Sequence, residues 1–298
     1  MKTPPPPLGP GPAHALMHLT VFVWGFTAIL GRLISLSAIP LVWYRLLVVL
    51  AVMPFIIWWR GLPLRVPFAQ LRSFAVAGTL VALHWLLFYG CIKHAGVAVA
   101  VLCLSTITFF TALLEPLVFK RRAVVSELLI GFGVMIGVGF LVKVETNTDF
   151  MGLMMGMGSA LFSSAFGTLN GKLARESRGE VMTLYELSAA AVVTTLFFVL
   201  QPGTFVSPAS LSGTDGVLLL VLGVGCTVLP WMWSLRVLQT LAPYAMALAV
   251  SLEPVYAMAL AWFIFPGAEQ LTWRFYVGVV VLLGLVVLNT WRKRATKS

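Results

Sequence analysis

Charge is the scarcest commodity in this sequence. Asp, Glu, Lys and Arg make up 10% of 298 residues, whereas a soluble domain carries ~25%. Aspartate occurs only at Asp149 and Asp215, and histidine only at positions 14, 18, 84 and 94. An enzyme working inside the membrane, such as a lipid-modifying one, needs clustered His, Asp or Glu. Scattered as they are here, these residues argue against an enzyme and against a metal site. No Gly-x-x-x-x-Gly-Lys-Ser/Thr motif occurs, and Gly167 to Lys172 has the wrong spacing, which argues against an ATP-driven pump. The three cysteines, Cys91, Cys103 and Cys226, all lie in apolar stretches, so neither a disulfide framework nor a bound metal is expected. No cofactor and no nucleic-acid partner is expected either.

What is abundant is apolar surface. Hydrophobic residues make up 60% of the chain and the mean hydropathy is +0.98. One soluble core could not hide that much, so the lipid bilayer is the solvent. Ten stretches are long enough to span, at 15–34, 39–59, 73–91, 96–116, 124–143, 150–173, 181–200, 214–234, 243–265 and 272–291. Runs such as Val279 to Leu288 are apolar on every side, the pattern of helices and not of an alternating barrel strand. The fold class expected is all-α integral membrane, with ten transmembrane helices. Residues 1–14 read as a proline-rich extended lead-in without a signal-peptide cleavage site.

Lys and Arg orient the chain, because they favour cytoplasmic loops. With both termini inside, 15 of the 20 basic residues fall on the cytoplasmic side, including the tail at 292–298, and only Lys93, Lys143 and Arg274 fall outside. The net charge of +10 thus sits where anionic lipid favours it.

The chain also repeats itself. Ala95-Gly96-Val97-Ala98-Val99-Ala100 aligns with Ala242-Pro243-Tyr244-Ala245-Met246-Ala247 at an offset of 147, and Gly131 and Gly137 align with Gly278 and Gly284. Phe26 and Gly31-Arg32-Leu33 match Phe166 and Gly171-Lys172-Leu173 at 140. Two five-helix repeats follow, 15–143 and 150–291. Five is odd, so the second enters the membrane inverted, an architecture of transporters that bind solute near the midplane between the halves. The identical tripeptides Leu114-Glu115-Pro116 and Leu252-Glu253-Pro254 do not align in this register, which sets Glu253 opposite Thr106. Glu115 lies near the cytoplasmic end beside Lys120 and Arg121 and reads as an interfacial ion pair.

Polar groups at mid-membrane are costly and therefore candidates for function. Glu253 stands mid-span beside Pro254, which cannot donate to the carbonyl of Val250. The kink gathers a carboxylate, that carbonyl and Ser251, with Tyr256 on the same face. Such a carboxylate receives an ammonium, carries a proton, or is a structural glutamate bonded to a hydroxyl. His84 is the one histidine of mid-span. Phe88 shares its face, and Trp85 shares one with Tyr89. They form either an aromatic cleft for a flat solute or ordinary packing. Trp24, Tyr44 and Tyr185 are further candidates, and Thr106 belongs to a hydroxyl-rich stretch that bonds a solute or its own helix. Arg45 and Glu186 occupy near-equivalent places in the two halves, towards opposite faces, and read as gating or coupling residues or as snorkelling charges. Trp231 and Trp233 read as interfacial belt residues.

Ten spans, the repeat and several segments together resemble the drug/metabolite transporter superfamily in its EamA-type branch. The segments are Val23-Trp24-Gly25-Phe26, Trp43-Tyr44-Arg45, Lys93-His94-Ala95-Gly96-Val97-Ala98, Ser251-Leu252-Glu253-Pro254 and Gly267-Ala268-Glu269. Within the branch the chain is most similar to bacterial aromatic amino acid exporters. It departs at Arg121-Arg122, where the first half often has Gly-Glu. The resemblance implies a central cavity lined by spans 1 to 4 and 6 to 9. Spans 5 and 10 would be peripheral, with glycines that suit a homodimer. It also implies export of aromatic amino acids by alternating access across the bacterial inner membrane. Threonine-like amino acids and cationic drugs are the alternative solutes.

Overall fold

The computed structural model describes residues 6–145 and 150–264, with single positions 277, 280 and 284. The tenth expected span, 272–291, lies outside the described residues. Those described residues form only helices and turns, and the helices coincide with the first nine expected spans. In order they are α1 (Pro10–Leu33), α2 (Ala38–Trp59), α3 (Phe68–Ser105), α4 (Ile107–Phe119), α5 (Val125–Glu145), α6 (Phe150–Leu173) and α7 (Gly179–Leu200). α8 (Gly213–Leu220) runs through a π-helical segment (Val221–Val228) into α9 (Leu229–Leu238), and α10 (Pro243–Val250) is followed by α11 (Glu253–Ile264). Six of the described stretches are long and apolar enough to cross a membrane, Phe68–Phe119 counting as one. α1 starts at Pro10, earlier than the sequence suggested, because proline suits a first turn whose N–H groups have no partner.

Interruptions of the helices are as informative as the helices. Gly96, at φ +88°, bends α3 between the third and fourth spans; only glycine adopts that backbone without strain. The fourth span breaks again at Thr106, and the ninth breaks at Ser251–Leu252. At the first break the Phe109 N–H turns to the carbonyl of Thr106, away from Ser105, its usual partner four residues back. The Ser105 carbonyl instead accepts from the Ser251 hydroxyl at 3.1 Å. Ser251 also shares a 2.6 Å hydrogen bond with Thr108. The two broken helices therefore meet at their breaks, across the two halves of the chain.

Helix approach is close wherever glycine removes a side chain. A Cβ on Gly78 of α3 would run into the backbone oxygen of Glu186 in α7, and one on Gly223 would meet the Val48 side chain of α2. Gly131 in α5 packs on the backbone of Phe109. α3 lies along α6 and α7, α2 along α7, and α1 along α9 and α11, so the halves interlock. At one end, Asp215 accepts from the Ser35 N–H at 2.8 Å, the Ser35 hydroxyl at 2.5 Å and the Ser212 hydroxyl at 2.9 Å, and Lys93 donates to the Ile34 carbonyl. At the other end Arg121 bridges Glu115 at 3.0 Å and Glu127 at 3.3 Å. Glu115 also accepts the Tyr244 N–H at the start of α10 at 2.8 Å. The interfacial pairing expected of Glu115 is thus present, with a helix-capping role added. Phe55, Trp58 and Trp59 stand exposed at the end of α2, where aromatic rings suit a headgroup region.

Candidate functional site

A cavity of about 860 Å³, counting its open mouth, lies between the halves. Its wall takes Trp24 and Thr27 from α1, Arg45 from α2, and His84, Trp85 and Phe88 from α3. The second half contributes Ser163, Phe166 and Asn170 from α6, Trp231 from α9, and Val250 and Glu253 beside the ninth-span break. The wall continues to Leu238 and Pro243 at the meeting of α9 and α10. Ser35, Lys93 and Asp215, at the opposite end of the bundle, are not part of it.

Arg45 holds the cation of the site. It is 3% exposed and has no carboxylate partner among the described residues. Its Nε donates to the Thr227 hydroxyl at 2.6 Å and its Nη1 to the Tyr89 hydroxyl at 3.0 Å. Thr227 belongs to the π-helical segment and donates in turn to the Leu222 carbonyl, five residues back, at 2.6 Å. The widened turn thus presents a hydroxyl oxygen to the guanidinium. The guanidinium lies 3.8 Å over the Trp85 ring, a favourable cation–π contact when desolvated. Nη2 has no hydrogen-bond partner among the described residues. A buried cation tied on two edges, with a third edge spare, is prepared for an anionic group.

Glu253 supplies the opposite charge. It opens α11 directly after the break, is 3% exposed and lines the cavity. Among the described residues it has neither hydrogen bond nor ion pair. Isolated carboxylates are expensive in a low-dielectric interior, so this one suits a donor that comes and goes.

Aromatic rings run on from Arg45 along the wall. Trp85 meets Trp231 edge-on at 5.6 Å, Trp231 stacks on Phe166 at 5.4 Å, and Phe166 lies 5.5 Å from His84. The His84 Nδ1 sits 3.0 Å from the Ser159 carbonyl and 2.9 Å from its hydroxyl. When Nδ1 carries the proton, Nε2 remains as an acceptor.

The structure therefore brings together Trp24, Arg45, His84, Trp85 and Glu253, all named from the sequence. Others stand apart from the wall. Tyr89 is fully buried behind Arg45. The Tyr44 hydroxyl donates to the Val206 carbonyl, and that of Tyr185 to the Leu64 carbonyl. Tyr256 packs on Gly25 and Phe22, Thr106 bonds the Cys103 carbonyl of its own helix, and Ser251 belongs to the crossing of the breaks. Arg45 does not snorkel to an interface; Thr227, Tyr89 and Trp85 hold it in the cavity wall. Trp231 is not a belt residue; it is buried in the cavity, held by Phe166, Trp85 and the Glu186 carboxylate. Glu186 is fully buried behind the wall, accepting from Trp231 at 3.3 Å and Asn170 at 3.2 Å.

The family model of EamA-like transporters matches the chain twice, over residues 11–143 and 150–291. The chain belongs to the EamA-like transporter family. Its repeat is thereby the family's own unit. No curated protein matches the chain. Among 25 matching solved chains, one described only as "Crystal structure of protein" superposes with a TM-score of 0.75 at 16% identity, covering 97% of this chain and 100% of that one. This likeness speaks for the fold.

In this EamA-like chain, Phe166, Asn170, Ser163, Thr227 and Trp231 are the site residues that sequence reasoning missed or misplaced. The repeat register did pair Phe166 with Phe26, but on helices apolar all round nothing in the sequence says which side faces the cavity.

Proposed function

We propose that this transporter exports aromatic amino acids and related small solutes by alternating access across the bacterial cytoplasmic membrane. In this reading both termini are cytoplasmic and the halves are 15–143 and 150–291. The observation that carries the proposal is the presence, in one aromatic-walled cavity, of a guanidinium with a spare edge at Arg45 and a carboxylate at Glu253, neither of them in an ion pair among the described residues. An amino acid presents the complementary pair. Its carboxylate meets Arg45 in a charge-assisted contact, its ammonium meets Glu253, and an aromatic side chain lies among Trp85, Phe166 and Trp231. The helix breaks at Thr106 and Ser251–Leu252 support a moving crossing, as discontinuous helices do in other inverted-repeat transporters. A second reading rests on Glu253 alone: an unpaired carboxylate among rings also suits a cationic drug.

The test is counterflow of labelled solute into liposomes that hold the purified protein and are preloaded with phenylalanine, tryptophan, threonine or methyl viologen. Saturable exchange is expected with the first two, absent from empty liposomes and lost in Glu253→Gln protein that folds normally. Exchange confined to methyl viologen selects the second reading. No exchange of an aromatic amino acid by folded protein overturns the first.

A further inference from the structure

Glu186 touches no part of the cavity, yet two cavity residues depend on it. Its Oε2 accepts the indole N–H of Trp231 at 3.3 Å and the amide Nδ2 of Asn170 at 3.2 Å. These partners come from α9 and α6, while Glu186 comes from α7. Each bond has one possible direction. An indole nitrogen only donates, and of the two ends of an amide only the nitrogen donates. The acceptor therefore decides which way both side chains face.

The consequence passes along the rings. With its N–H turned to Glu186, the Trp231 ring lies stacked on Phe166, at 25° between planes, and meets Trp85 edge-on at 70°. Trp85 carries the Arg45 guanidinium. Glu186 is itself fixed from outside, since α3 approaches its backbone oxygen at Gly78 too closely for any side chain.

We infer that Glu186 is a positioning residue for solute recognition: by accepting from Trp231 and Asn170 it sets the aromatic wall and thereby which flat solute the cavity accepts. The inference rests on the reading of the cavity as the solute site. It also separates acceptance from charge. Glutamine keeps an oxygen that accepts both N–H groups, whereas leucine keeps none.

The experiment is a double-mutant cycle with Glu186→Leu, Glu186→Gln and Trp231→Phe, the last of which removes the N–H. KM and maximal rate for phenylalanine and tryptophan counterflow are measured, together with melting temperature in detergent. Glu186→Leu is expected to raise the tryptophan KM about tenfold, the usual weight of one such hydrogen bond, with a smaller change in maximal rate and an altered tryptophan-to-phenylalanine ratio. Glu186→Gln is expected to restore most of this. In Trp231→Phe protein, Glu186→Leu should add little, because coupled residues are not additive. The inference is overturned if the two effects multiply to about a hundredfold, or if Glu186→Gln is as defective as Glu186→Leu. The melting cycle keeps the two ideas apart. If the wild type exchanges no aromatic amino acid, the solute reading falls. Sub-additive melting losses would still uphold Glu186 as the residue that orients Trp231, and additive losses would overturn it.

Discussion

Replacing Arg45 with lysine keeps the charge and removes the geometry. The guanidinium makes two hydrogen bonds from separate edges, to Thr227 at 2.6 Å and Tyr89 at 3.0 Å, and its Cζ lies over the Trp85 ring at 3.8 Å. An ammonium is a compact point on a flexible stem; it reaches Thr227 or Tyr89 but has no plane to lay on the ring. Hydrogen bonds to charged groups contribute ~1.5–3 kcal/mol each and a desolvated cation over an aromatic face about 2 kcal/mol. Losing one bond and about half of the ring contact costs roughly 2–4 kcal/mol. At ~1.4 kcal/mol per decade that is roughly 30- to 1,000-fold in the folding equilibrium. Melting of purified protein should show the loss. Counterflow should show a second effect, because only a solute with a carboxylate uses the spare edge of Arg45. The KM for phenylalanine is expected to rise relative to that for phenethylamine, which lacks the carboxylate. An Arg45→Lys protein with wild-type melting and an unchanged KM ratio would refute both the geometry and the assignment of Arg45.

Three further outcomes follow from other contacts. Gly78→Ala should destabilise by ~1–3 kcal/mol through overpacking, since the new methyl meets the Glu186 backbone oxygen and the Ala189 Cβ; unchanged melting would refute that close approach. Asp215→Ala removes the acceptor of the Ser35 and Ser212 bonds. With Thr27→Cys as reporter, an impermeant maleimide added from the Asp215 side should label the cavity at least about threefold faster, by loss of hydrogen bonds to a charged group. Equal labelling with and without Asp215 would show that the contact does not limit access to the cavity from that end. Thr108→Ala and Ser251→Ala should each lower the melting temperature and should couple, because each removes the one hydrogen bond the two hydroxyls share; purely additive losses would contradict the bond.

Hydropathy located the helices of the first nine expected spans, because the bilayer imposes one length on every crossing segment. The repeat register went further than the pattern of apolar residues. It set Glu253 opposite Thr106, and both prove to stand at the break of their own half. Glu253 and His84 were visible as costly polar groups within spans, Trp85 and Trp24 as candidate rings, and Arg45 only as a gating or snorkelling charge towards one face. What the sequence hid was direction. Trp231 lies seven residues from the end of α9, a depth that fits an interface as well as a cavity, and only the Glu186 carboxylate and the Phe166 ring decide between them. The π-helical segment was equally hidden. Val221 to Val228 reads as an ordinary apolar run, and the extra residue in its turn is what turns Thr227 to Arg45. Tyr44 and Tyr185 illustrate the converse, since their hydroxyls are taken by carbonyls of neighbouring segments.

The crossing of the two broken helices bears on whether this chain can be divided. The Ser105 carbonyl, released at the first break, is taken by a hydroxyl from the other repeat, and a buried carbonyl left without a partner is costly. A gene cut between the repeats would yield a first fragment with a dangling acceptor in the hydrocarbon. That fragment should be cleared by membrane proteases when made alone and rescued when the second is co-expressed. The family model recognises each repeat as a unit, while this bond makes the first repeat draw a partner from the second.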